Sequence, residues 1–274
     1  MDYVAPVDVA KAMMEAGRRK LLLSPRDLVM RGILAGAILG AATSLAFTGI
    51  VQTSQPLVGA LIFPVGLVII VVLGLDLVTG SFGLVPLPWV ENSASGSAML
   101  SNWAYVFLGN LIGSVAYGGL LAIALTNFGT EAPAGVAAKI IAVATAKTAG
   151  YESLGYAGLV TVFVKAMLCN WMVCLAIVMA MTTTSTSGKI LAAWLPVFLF
   201  FAQGFEHSVV NMFVIPTAMI LGAKITFAEW WLWNQIPVTL GNLVGGFIFT
   251  GLALYMTHKP AAAPRAMPTQ VPAE

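Results

Sequence analysis

Charge is what this sequence has least of. Asp, Glu, Lys and Arg make up 9% of its 274 residues, against roughly a quarter in soluble chains, which excludes a fold whose surface faces water on all sides. The 13 basic and 11 acidic residues give a net charge of +2. They are too few and too scattered for a face that tracks phosphates, so nucleic acid is not a partner. Cysteine is almost absent as well: Cys169 and Cys174 lie five apart in an apolar run. A helix points them to different sides, so they read as packing thiols and not as a bridge or a metal pair. No cofactor is expected. Neither G-x-S-x-G nor H-E-x-x-H occurs, which leaves an intramembrane enzyme using Glu206 and His207 without a recognisable nucleophile or metal site.

What the chain has in abundance is apolar length, with 59% of residues hydrophobic. One helical crossing of a bilayer needs about 20 such residues. Residues 28–50, 102–125, 157–181 and 236–256 each supply one. Two further tracts, 57–87 and 190–221, are too long for one simple span, too short for two, and interrupted near their middles by glycine, acid and hydroxyl residues. A helix broken at membrane depth resolves this, provided its freed backbone groups are buried in protein or line a watery cavity. The expected fold is therefore all-α and polytopic, with six crossings of which two are discontinuous, the breaks lying at 76–83 and 206–211.

Lys11, Arg18, Arg19, Lys20, Arg26 and Arg31 before the first span, and Lys259 and Arg265 after the last, put both termini on the cytoplasmic side of an inner membrane. Lys189 then also falls inside, whereas Lys139, Lys147 and Lys224 fall outside. Residues 1–24 form an amphipathic helix on the cytoplasmic surface. Ser24-Pro25-Arg26-Asp27 starts the first span with an N-cap, a proline at the first helical position and an acid in the first turn. The channel domain covers 25–257, and the proline- and alanine-rich tail 258–274 reads as disordered.

The halves repeat at a shift near 130 residues. Gly74-Leu75-Asp76 with Pro86 matches Gly204-Phe205-Glu206 with Pro216. Asn102 and Leu108-Gly109-Asn110-Leu111 with Gly113 match Asn234 and Leu240-Gly241-Asn242-Leu243 with Gly245. The repeats run over about 25–126 and 157–257. Three crossings in each, an odd number, make the second copy inverted. A site then lies near the midplane, where the N-terminal ends of interrupted helices can face an anion.

Asp76, Lys165, Glu206 and His207 are the ionisable groups within the spans, and an unpaired acid or lysine there costs about 2.5–3.5 kcal/mol. Asp76 and Glu206 occupy equivalent positions before the breaks, where their carboxylates read as holding loop amides. His207 breaks the symmetry, because its counterpart is Leu77. A lone histidine is more often structural, but this one lies at the centre of the inferred pathway and has an unperturbed pKa near 6.5, suited to handling a proton. Thr79, Ser81, Ser208 and Asn211 either coordinate a small ligand or satisfy backbone groups. Asn170 needs a partner in hydrocarbon, and His207 or Thr79 would serve.

Leu-Cys-Asn-Trp-Met-Val-Cys-Leu-Ala at 168–176, Gly-Phe-Glu-His-Ser-Val-Val-Asn-Met-Phe at 204–213 and Gly-Leu-Asp-Leu-Val-Thr-Gly at 74–80 closely resemble three motifs of the formate/nitrite transporter family. The resemblance implies an aquaporin-like fold in a homopentamer, each protomer with its own pore for small monovalent anions such as formate, nitrite, hydrosulfide or lactate. It makes His207 the central pore histidine with Thr79 and Asn170 beside it. Phe63, Leu67, Leu77, Val78 and Phe200 become the apolar constrictions. Val78 stands where the family often has phenylalanine, and either Lys147 or Lys165 is the basic residue of the outer approach. With Asp76, Glu206 and Asn211 in support, the expectation is a proton-coupled pore for a weak-acid anion, formate or nitrite first. Two rivals are a neutral-solute or water channel, disfavoured by the missing Asn-Pro-Ala pairs, and a sodium symporter, which lacks a carboxylate cage.

Overall fold

The computed structural model describes residues 2–259 and is helical throughout, with no strand beyond an isolated bridge between Tyr3 and Thr183. The C-terminal tail lies, but for His258 and Lys259, outside the described residues. Helix α1 (Pro6–Leu21) precedes the long α2 (Pro25–Thr53). Four short helices follow: α3 (Pro56–Ile62), α4 (Val65–Val72), α5 (Val78–Leu84) and α6 (Pro86–Val90). Next come α7 (Gly96–Leu125), α8 (Val136–Lys147), the single turn α9 (Ala149–Glu152) and α10 (Tyr156–Ala180). Helices α11 (Thr186–Ala202) and α12 (Ser208–Ile220) form the second interrupted tract. The last helix runs from Phe227 to His258, with widened π-type turns at Trp231–Gln235 and Gly245–Leu252.

Among the described residues, four helices are long and apolar enough to cross a bilayer: α2, α7, α10 and the last one. Ser24 caps α2 by accepting the amide of Asp27, and Pro25 occupies its first turn. The long helices pair closely at glycines. A Cβ on Gly36 would strike the Asn110 carbonyl of α7, one on Gly113 the Ile33 carbonyl of α2, and one on Gly245 the Met167 carbonyl of α10. Side chains such as Leu34, Leu45, Leu120, Leu191, Leu195 and Leu240 are exposed outward, an apolar girdle unsuited to water.

The two interruptions share one design. Helix α4 ends with Gly74 at φ +64° and α11 with Gly204 at φ +65°. The amides of Gly74 and Leu75 reach back to Val71 and Ile70, as those of Gly204 and Phe205 reach Phe201 and Phe200. This is a Schellman end, and its left-handed residue favours glycine. The breaks therefore precede the expected position. The glycine stops each helix before the acid, and α5 and α12 start at Val78 and Ser208, so Thr79, Ser81, Gly83 and Asn211 lie on helices. The first tract is also divided by Pro64 and Pro86, whereas Pro216 stays inside α12.

Helix α1 lays its apolar face on protein. Val9, Ala10, Met13 and Met14 cluster with Leu84, Leu87, Val178 and Tyr255. The expected amphipathic helix thus buries its stripe against the bundle and not in lipid.

Candidate functional site

A clamp of the same kind holds each interruption. Asn110 Nδ2 donates to the carbonyls of Gly32 and Asp76, both at 2.9 Å, and its Oδ1 accepts the Val78 amide at 2.9 Å. In the second half, Asn242 Nδ2 donates to the carbonyls of Ala166 and Glu206 at 2.8 and 2.9 Å, and its Oδ1 accepts the Ser208 amide at 2.8 Å. Each asparagine ties a long helix to the break and takes the first free amide of the new short helix, as a buried backbone requires. The carboxylates of Asp76 and Glu206 were expected to hold these loop amides. They bind lysines instead, because the asparagines already occupy the amides. The same asparagine oxygens occupy the helix ends that were expected to face an anion.

Lys20 of α1 pairs with Asp76, and its carbonyl accepts Asn102 Nδ2 at 3.0 Å. Lys147 at the end of α8 lies 2.6 Å from Glu206 Oε2, and its carbonyl accepts Asn234 Nδ2 at 3.0 Å. Both acid side chains are 2% exposed. The matching contacts thus extend into the helices before each half, beyond the boundaries drawn from apolar matches. Glu206 also accepts from Tyr151 Oη at 2.8 Å and from Asn211 Nδ2 at 2.8 Å. Asn211 Nδ2 reaches Asn234 Oδ1 as well. Lys165 joins this group through its backbone, where its carbonyl accepts the Glu206 amide at 3.4 Å. Its ammonium lies 5.7 Å from the centroid of the Tyr151 ring.

His207 is the N-cap of α12. Its Nδ1 accepts the Val210 amide at 3.3 Å, and its Nε2 lies 3.2 Å from Thr79 Oγ1. Because Nδ1 accepts, the proton of the neutral ring belongs on Nε2, pointing at Thr79. Thr79 belongs to α5, so this contact joins the two interruptions. Asn170 Nδ2 donates to the Thr79 carbonyl at 3.0 Å and the Asn242 carbonyl at 2.6 Å, so it reaches Thr79 and not the imidazole. Cys174 points its thiol at the Thr79 carbonyl. Both cysteines are free and buried, as expected.

Around the imidazole, Leu39, Phe63, Leu67, Leu77, Val173, Val197 and Phe200 enclose a chamber of about 10 Å³, space for about one water. The Phe200 ring stacks on the imidazole at 5.9 Å, and Phe63 meets Phe200 edge-on at 5.8 Å. Leu67 and Leu77 are shared with a second cavity of about 710 Å³, which Arg19, Lys20, Arg31, Asp76 and Lys189 also line. The two leucines therefore separate a cationic vestibule from the histidine chamber. Phe63, Leu67, Leu77 and Phe200 come together around His207. Val78 is fully buried and lines neither cavity. Leu39, Val173, Val197, Lys20 and Tyr151 were not foreseen. For Lys20, its place 127 residues before Lys147 was the available signal.

Residues 7–256 match the formate/nitrite transporter family. The chain belongs to that family. It is 36% identical over 271 residues to a probable formate transporter of Methanothermobacter thermautotrophicus, covering 93% of this chain and 97% of that one. To the formate channel FocA of Escherichia coli K12 it is 27% identical, covering 94% and 95%. Among solved structures, an FNT family ion channel superimposes with a TM-score of 0.77 at 30% identity, over 92% of this chain and 99% of that one. A pentameric formate channel with formate bound gives 0.68 at 26% identity, over 85% and 97%. Members of the family are transporters, so this is an integral membrane transport protein and not an enzyme.

Proposed function

We propose that the protein is a pore for small monovalent weak-acid anions, formate first and nitrite next, in which His207 assists passage by handling a proton. The observation that carries this reading is the placement of one titratable ring in an otherwise apolar chamber between two interrupted helices. A bare carboxylate pays heavily to enter such a space, and the neutral acid far less. The cationic vestibule concentrates the anion at one mouth, and the leucine and phenylalanine pairs exclude hydrated ions. At the chamber, the Nε2–H of the neutral ring donates to the carboxylate and holds it while a proton arriving from the aqueous mouth converts it to the neutral acid, which moves on. The Val210 amide, by donating to Nδ1, keeps the ring proton on Nε2, so the same donor faces the next anion.

Six crossings in two inverted halves, with both termini cytoplasmic in an inner membrane, place the vestibule inside and the Tyr151 side outside. A homopentamer follows the likeness to the pentameric formate channel. Formate and nitrite fit the small chamber with less rearrangement than lactate, and hydrosulfide is the nearest alternative. Formate flux into proteoliposomes is expected to rise as the outer pH falls, because each neutral acid that crosses takes up one proton. In His207→Ala the pH response disappears. Flux that ignores pH, or a variant that behaves as the parent, refutes the proton role; water or glycerol flux without anion flux would support the neutral-solute alternative.

A further inference from the structure

The two acid sites differ at one small position. In the second half Asn211 Nδ2 lies 2.8 Å from both Glu206 Oε2 and Asn234 Oδ1, so one amide group joins α12, the acid before it and the last helix. Asp76, Ser81 and Asn102 stand at the matching places of the first half. The lysine contacts match as well, since Asn102 Nδ2 donates to the Lys20 carbonyl at 3.0 Å as Asn234 Nδ2 does to that of Lys147. Aspartate and serine are each shorter than their counterparts, and the joining contact is not made. Asp76 Oδ2, Ser81 Oγ and Asn102 Oδ1 are all buried, and none has a hydrogen-bond partner among the described residues. Buried polar atoms in folded proteins are nearly always paired.

The three oxygens define what they take. Asp76 Oδ2 is an acceptor, and so is Asn102 Oδ1, because the nitrogen of that amide faces the Lys20 carbonyl; the Ser81 hydroxyl can donate or accept. Lys20 pairs with the same carboxylate and Arg31 stands 4.0 Å from Oδ2, so a further cation would meet like charge. A neutral molecule that donates twice and accepts once suits all three. Buried waters make about three hydrogen bonds to groups of this kind.

We infer that Asp76, Ser81 and Asn102 form a binding site for one ordered water molecule, which does for α5 what the Asn211 amide does for α12. The water donates to Asp76 Oδ2 and Asn102 Oδ1 and accepts the Ser81 hydroxyl proton. It ties α5 to α7 and to the acid, and α5 carries Thr79, the partner of His207. Asp76 borders the vestibule, from which the water enters.

The test is a structure of the full chain, by crystallography or cryo-electron microscopy, at a resolution that shows ordered water. One water is expected within about 3 Å of all three oxygens. In Ser81→Asn the new amide takes its place, and in Asn211→Ser a water is expected at the matching point beside Glu206. A parent with no water between the three oxygens overturns the inference. Thermal melting in detergent reads the site independently. Asparagine and valine both enlarge the side chain, so size alone lowers both variants; with a water site, Ser81→Asn melts at or above the parent temperature. Ser81→Val, which brings no donor, melts about 2 °C or more lower. Ser81→Asn melting as low as Ser81→Val overturns the inference. So does a parent that melts higher in sodium than in choline when Ser81→Ala does not, because the site then holds a cation.

Discussion

Glu206 uses both carboxylate oxygens: Lys147 and Asn211 share one, and Tyr151 takes the other. Asp76, at the matching place in the first half, pairs with Lys20 through one oxygen. Its other oxygen has no hydrogen-bond partner, and Arg31 stands 4.0 Å from it. Both breaks have the same glycine end and the same asparagine clamp, so the difference lies in what surrounds the acid. Around Glu206 the short turn α9 closes the space with a tyrosine. Around Asp76 no such segment exists, and the acid borders the 710 Å³ vestibule. One scaffold thus supports a packed side and an open side, and the histidine sits between them.

The largest expected effect comes from breaking the packed pair. Glu206→Ala leaves the Lys147 ammonium mostly buried and uncompensated, which costs about 3–5 kcal/mol. Folded protein recovered after heating in detergent is expected to fall sharply. Lys147→Gln combined with Glu206→Gln recovers much of that loss, because no charge is then left alone. Asp76→Ala is expected to cost only about 1 kcal/mol, since Lys20 can turn toward water. Equal losses for Glu206→Ala and Asp76→Ala would erase the distinction between the two sides.

The clamps give the next comparison. Asn110→Ala and Asn242→Ala each strip partners from three buried backbone groups, about 1–3 kcal/mol per group left unsatisfied. Similar thermal losses are therefore expected from both. Their fluxes should differ. Ser208, held by Asn242, follows His207 directly, so Asn242→Ala disturbs the imidazole and lowers formate flux per folded protein more than Asn110→Ala does. The close helix pairs come third. Gly113→Ala and Gly245→Ala drive a methyl into a facing carbonyl, an overpacking worth about 1–3 kcal/mol each, read as matched decreases in thermal stability.

Much of this was legible in the sequence, and what was missed has a common cause. Apolar length marked the four long helices, and the Gly74 and Gly204 matches marked the interruptions, because a left-handed helix end leaves a local signature. His207 is marked by breaking the repeat, Asn170 by its need for a partner in hydrocarbon, and Thr79 by the family resemblance. Lys20 and Tyr151 are not marked, since their partners are 56 and 55 residues away and neither residue looks unusual in its own segment. A lysine on an amphipathic helix carries no mark of the acid it pairs with. The role of the acids was misjudged for a related reason. Acid and asparagine both suit a helix break, and only the fold decides which of them reaches the amides.

The smallest effect isolates how the open side tolerates its incomplete shell. Lys20→Gln removes the direct partner of Asp76, yet Arg31 is 43% exposed and already 4.0 Å from the other oxygen, so a small rotation supplies the missing charge. The expected cost is within about 1 kcal/mol, and Arg31→Gln alone behaves likewise. Together they leave a carboxylate that is 2% exposed with neither cation, and the double variant is expected to lose about 3 kcal/mol or more, well beyond the sum of the singles. The packed side has no such reserve, because the Lys165 ammonium faces the Tyr151 ring and not the acid. Lys147→Gln should therefore cost nearly as much alone as with Lys165→Gln added. Thermal stabilities of these five variants, with Lys165→Gln alone as the sixth, measure both couplings, and additive losses at Asp76 would show that its two cations act independently.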